Sequence, residues 1–118
     1  MKKVLSYILA VIMLLSAVVH LAMPAAYEPL IPPFISPDLA NILTAILEAV
    51  VGVLLLLPKY RTWGGLGFGL LMVGFLPIHV WDMLRETPFI GPMPAAIGRV
   101  VIQFALIYAG YWIWKGNR

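Results

Sequence analysis

No cysteine occurs among the 118 residues. That absence excludes disulfides, thiol redox chemistry, c-type haem attachment and cysteine-ligated iron–sulfur clusters, so any redox role would rest on a bound cofactor or a partner protein. Charge is scarce too, at 11% of the chain, against about a quarter in a soluble domain. With two histidines and five acidic residues, few side chains are available for acid–base or metal chemistry. What fills the chain instead is apolar residues, 63% of it, which places it with membrane proteins. The formal charge of +3 sits mostly at the ends of apolar stretches, where membrane topology accounts for it; no nucleic-acid partner is expected.

A membrane-crossing helix needs about 20 mostly apolar residues. Four stretches meet that requirement, at about 4–23, 39–57, 63–83 and 95–114. Short connections leave no room for a soluble domain, so the expected fold is all-α: one membrane domain over 1–118, a bundle of four transmembrane helices. The first stretch follows Lys2 and Lys3 and partly fits a signal peptide. Its apolar run is longer than a signal core and lacks a clean A-x-A cleavage site, so it reads as a spanning helix. Lys2, Lys3, Lys59, Arg61, Lys115 and Arg118 fall on one side of this topology; the opposite loops hold Arg85 with Glu28, Asp38 and Glu86. The positive-inside rule then puts both termini in the cytoplasm, with the bacterial cytoplasmic membrane as the location.

Glu48 stands near the middle of the second stretch, where a charge costs roughly 2.5–3.5 kcal/mol even on insertion scales. It should therefore face other helices and have a partner. Asn41, Ala45, Glu48 and Gly52 recur at helical spacing with Thr44 beside them, forming a small and polar face that must point inward. Arg99 is the candidate partner for Glu48, although it can instead pair with Asp82 or reach the headgroups by snorkelling. In the expected topology His20, His79, Asp82, Arg99 and Gln103 lie in the outer half of the membrane, above Glu48. Five of the ten prolines lie between Pro24 and Asp38, an irregular but ordered loop that is either a rigid connector or a lid. Ser36 or Asp38 can cap the second helix, with Pro37 in its first turn.

In the third stretch Gly65 and Gly69 form a GxxxG spacing, which suits close packing inside the bundle or, alternatively, a homo-oligomer. Pro77 can kink the helix and free a carbonyl toward the interior. Tyr108, Tyr111, Trp112 and Trp114 read as an aromatic belt at the interface.

Several elements together resemble those of the DoxX-like family of small four-helix membrane proteins. His20, Pro24 and Tyr27 with Ile31-Pro32-Pro33 resemble its H-x3-P-x2-Y and P-P pattern. Leu47-Glu48 with Gly52, then Leu57-Pro58 and Arg61, resemble its E-x3-G helix and L-P-x-x-R turn. Pro77-Ile78-His79-Val80 resembles its P-A-N-I element with His79 in place of Asn, and Arg99 with Gln103 its R-x-P-x-Q element with Val101 in place of Pro. The resemblance implies a four-helix membrane bundle and, from some relatives, a membrane subunit of a thiosulfate–quinone oxidoreductase or a redox-defence assembly.

The expected role is accordingly an accessory, non-catalytic subunit whose polar pocket binds a quinone-like or other amphipathic molecule and supports a redox partner. The ligand-binding or proton-relay candidates are Glu48, Arg99, Gln103, His79, Asp82, His20, Asn41 and Tyr27. A b-type haem between His20 and His79, or a metal on His20, His79 and Asp82, is a weaker reading. The rival is a structural or assembly protein in which these groups only lock helix packing. A proton-coupled transporter is disfavoured, since four helices without an internal repeat leave little room for alternating access.

Overall fold

The computed structural model describes residues 2–85 and 91–116. Glu86 and Arg118, which enter the charge pattern above, lie outside the described residues.

Helix α1 covers Lys2–Ala22, α2 Pro37–Leu56, α3 Arg61–Met83 and α4 Met93–Gly116, with 3-10 segments at Pro24–Leu30 and Pro58–Tyr60. All four α-helices are long and apolar enough to cross a membrane, and the bundle is 43 Å long, matching a bilayer with its headgroups, about 40–45 Å. Each helix begins about two residues before its apolar stretch. The stretch reports the thickness of hydrocarbon to be crossed, whereas backbone hydrogen bonding continues into the charged flanks until a cap or proline stops it. At α2 that cap is Ser36, whose side chain accepts from the Leu39 N–H at 3.4 Å, with Pro37 in the first turn. The expected irregular loop after α1 is a proline-started 3-10 segment that packs on α1 and α2.

Packing is strongest within two pairs, α1 on α2 and α3 on α4. Small residues make both contacts close. In α2 the inward face is the expected one, with Asn41, Ala45, Glu48 and Gly52 all buried, and a Cβ on Gly52 would lie 2.8 Å from Leu14 Cγ. In α3 the GxxxG face is taken by α4 of the same chain: a Cβ on Gly65 would meet Ile113 at 2.7 Å, and one on Gly110 would meet Gly69 N at 2.6 Å. The glycine spacing therefore serves helix packing inside the bundle, and an oligomer through Gly65 and Gly69 would have to share that face with α4.

The two pairs meet through a core of Leu9, Ala10, Met13, Val51, Leu55, Phe68, Met72 and Ile113. These residues occupy the half of the bundle nearest the termini. At that end Lys2 lies over the Trp112 ring at 4.9 Å, Arg61 over Tyr7 at 5.3 Å and Lys115 over Tyr111 at 5.7 Å, so the expected aromatic belt is also where most of the cations gather. Helices α1 and α4 barely touch, and a cavity lies between the pairs, reaching toward the opposite end.

Candidate functional site

The cavity has a volume of about 510 Å³ and is walled mainly by apolar side chains such as Met13, Phe68, Phe75 and Leu106. Eight polar groups interrupt that lining: Ser16 and His20 from α1, Tyr27 from the 3-10 segment, Asn41, Thr44 and Glu48 from α2, His79 from α3 and Arg99 from α4. The size suits a small amphipathic ligand.

On the α1–α2 wall the hydrogen bonds are interlocked. His20 Nδ1 lies 2.7 Å from Asn41 Oδ1, while Asn41 Nδ2 donates to the Pro37 carbonyl at 3.0 Å and the Pro24 carbonyl at 3.3 Å. Only the amide NH2 can serve two carbonyls, so the amide oxygen faces His20 and Nδ1 carries the hydrogen. The other ring nitrogen, Nε2, points at Glu48 Oε1 across 3.5 Å, and Ser16 Oγ donates to Glu48 Oε2 at 3.0 Å. Glu48 Oε1 is buried and has no hydrogen-bond partner beyond this facing contact. Tyr27 stacks on the imidazole with ring centroids 3.7 Å apart.

This arrangement corrects the expected pairing of Glu48 with Arg99. Glu48 is answered by Ser16 and His20, and Arg99 Nη1 instead donates to Gln103 Oε1 at 2.8 Å. Gln103 is fully buried, and its amide donates to the Met72 carbonyl at 2.6 Å. That carbonyl is one residue before Val73, whose usual donor is missing because position 77 is proline. The carbonyl that Pro77 leaves without its usual donor is therefore that of Val73, and Gln103 bonds its neighbour, the Met72 carbonyl.

Asp82 does not pair with Arg99 either. It is fully buried and accepts from Arg85 at 3.3 Å. Arg85 also donates to the Pro29 carbonyl at 2.6 Å and lies over the Trp81 ring at 4.7 Å. This clasp ties the end of α3 to the 3-10 segment that roofs the cavity.

Of the eight candidates, then, His20, Tyr27, Asn41, Glu48, His79 and Arg99 converge on the cavity, while Gln103 supports Arg99 from behind and Asp82 belongs to the clasp. Among the described residues no three of His, Asp and Glu lie close enough to hold a metal ion, so the trio His20, His79 and Asp82 is not a metal site. The haem reading fails on His20, whose two nitrogens face Asn41 and Glu48 and whose ring face is covered by Tyr27. Ser16 was missed in the sequence, although it stands one helical turn before His20 and so shares its face; Arg85 was read only as a loop charge.

No curated protein and no solved structure matches the chain. None of the comparisons links it to the DoxX-like proteins that its motifs resemble. A family model does match, over residues 9–115, a span that contains every residue lining the cavity. The chain belongs to the family described as Domain of unknown function (DUF8561).

Proposed function

We propose that this is a membrane-embedded accessory protein whose cavity binds an amphipathic small molecule, of which a quinone is one example, and presents it to a redox partner. Both termini then lie in the cytoplasm and the cavity in the outer half of the bilayer, as the distribution of Lys and Arg favours. The observation that carries the reading is the cavity itself: polar groups from all four helices meet in one apolar chamber of about 510 Å³. A head with an acceptor oxygen has Arg99 and His79 as donors on one wall, and its tail has Phe68, Met72 and Leu106 to lie among. The motifs shared with DoxX-like proteins support the redox setting.

The test is mass spectrometry of small molecules extracted from gently purified protein, wild type beside Arg99→Gln. A discrete amphiphile that accompanies the wild type and is lost from the variant is the expected result. Bulk lipid alone in both samples would overturn the proposal and leave the polar groups as packing chemistry.

A further inference from the structure

Among the described residues no carboxylate pairs with Arg99, the arginine on the cavity wall. Glu48 is turned to Ser16 and His20 on the α1–α2 wall. Asp82 is answered by Arg85. Ser16, Asn41, Thr44 and Tyr27 bring no charge. Arg99 remains: its hydrogen-bond partner is the neutral Gln103, and among the described residues no carboxylate comes within ion-pair distance of it. Beside it His79, within electrostatic reach of both Arg99 and the Asp82 carboxylate, has its buried Nδ1 without a hydrogen-bond partner. A guanidinium without a paired carboxylate on the wall of an apolar chamber is costly, and an anion within hydrogen-bond reach relieves it.

We infer that the natural occupant of the cavity is a single-tailed amphiphile with a carboxylate head, held by Arg99 with its tail in the apolar part of the chamber. This rests on the proposed pocket and specifies its ligand. A carboxylate accepts two parallel hydrogen bonds from one guanidinium, and Gln103 keeps that guanidinium from turning away because it is itself anchored on the Met72 carbonyl. His79 is the second donor. A neutral head, such as a quinone carbonyl, can accept from the same groups but leaves the charge of Arg99 standing. The opposite wall suits this division, because there Glu48 is turned to His20 and Ser16 rather than to Arg99.

The experiment titrates the full-length protein in a neutral detergent with palmitate, with methyl palmitate and with a decyl-tailed benzoquinone, reading occupancy by native mass spectrometry. The solution is kept at a pH where the carboxylate is ionised. Palmitate is expected to bind about tenfold or more tightly than its ester, the order of a charge-assisted hydrogen bond. Arg99→Gln should abolish that preference and Arg99→Lys should keep part of it, with unchanged thermal midpoints confirming that both variants fold. Equal binding of ester, quinone and carboxylate to wild type would overturn the anionic head and leave the pocket standing. A preference that survives Arg99→Gln would overturn the assignment to Arg99. Binding of none of the three would overturn the pocket itself.

Discussion

Asn41 sets the proton geometry of the site without touching its acid. Its amide closes two backbone carbonyls at the junction of the 3-10 segment and α2, and the oxygen left over decides which nitrogen of His20 carries hydrogen. The nitrogen turned to Glu48 is the other one as a consequence. Nitrogen-15 NMR of the ring should therefore show His20 with Nδ1 protonated in wild type, and a changed tautomer balance in Asn41→Ala. The variant should also lose about 1–3 kcal/mol of stability for buried groups left unpaired. An unchanged ring signal in Asn41→Ala would mean that Glu48 or Tyr27 fixes the ring instead. Glu48 was legible in the sequence because a carboxylate in an apolar span must be buried and matched. Its partners were not, because a serine one turn before a histidine looks like any small polar residue in a helix, and only the rotation of α1 against α2 turns Ser16 and His20 toward it.

Among the elements, α3 and α4 are joined most closely, and backbone meets backbone where they cross. In a bilayer that closeness draws on van der Waals contact, since lipid competes for apolar surface as well as a neighbouring helix does. Gly110 is the tightest point, where an added Cβ would lie 2.6 Å from Gly69 N and 2.8 Å from Gly65 O. Neither backbone atom can move aside alone, so Gly110→Ala should push the helices apart and lower stability by about 1–3 kcal/mol. Gly74 offers the contrast, as nothing lies within 4 Å of a Cβ placed there, and Gly74→Ala should be neutral or slightly stabilising, by up to about 1 kcal/mol. Thermal midpoints of the two variants in one detergent make the comparison; equal midpoints would show that the crossing tolerates expansion. The GxxxG spacing was legible as a close-packing signal. Its partner helix was not, since Gly110 lies in a segment whose sequence also reads as an interfacial aromatic belt.

For the whole molecule the decisive pattern is the separation of its two ends. The end with the termini carries Lys2, Lys59, Arg61 and Lys115, all four over aromatic rings and two of them over rings of another helix; the opposite end is proline-rich and holds the polar part of the cavity. The lack of native cysteine makes the proposed orientation directly measurable. Exposed Lys59 and Glu28 mark the two ends. With Glu28→Cys and Lys59→Cys as single labels, a membrane-impermeant maleimide should modify position 28 in intact cells and position 59 only after the cytoplasm is opened. The reverse pattern would invert the bundle and place the cavity in the inner half.

The sequence by itself determined that this chain forms four span-length helices, and that the Asn41–Glu48–Gly52 face of α2 turns inward. Those features follow from rules that act on any chain in hydrocarbon: backbone groups must bond within a helix, and polar side chains must hide from lipid. Which polar group answers which was decided only by the tertiary structure. Glu48 met His20 and Ser16, Arg99 met Gln103, and Asp82 met Arg85, because hydrogen bonds are satisfied over a few ångströms and depend on how each helix is rotated and how deeply it sits beside its neighbour.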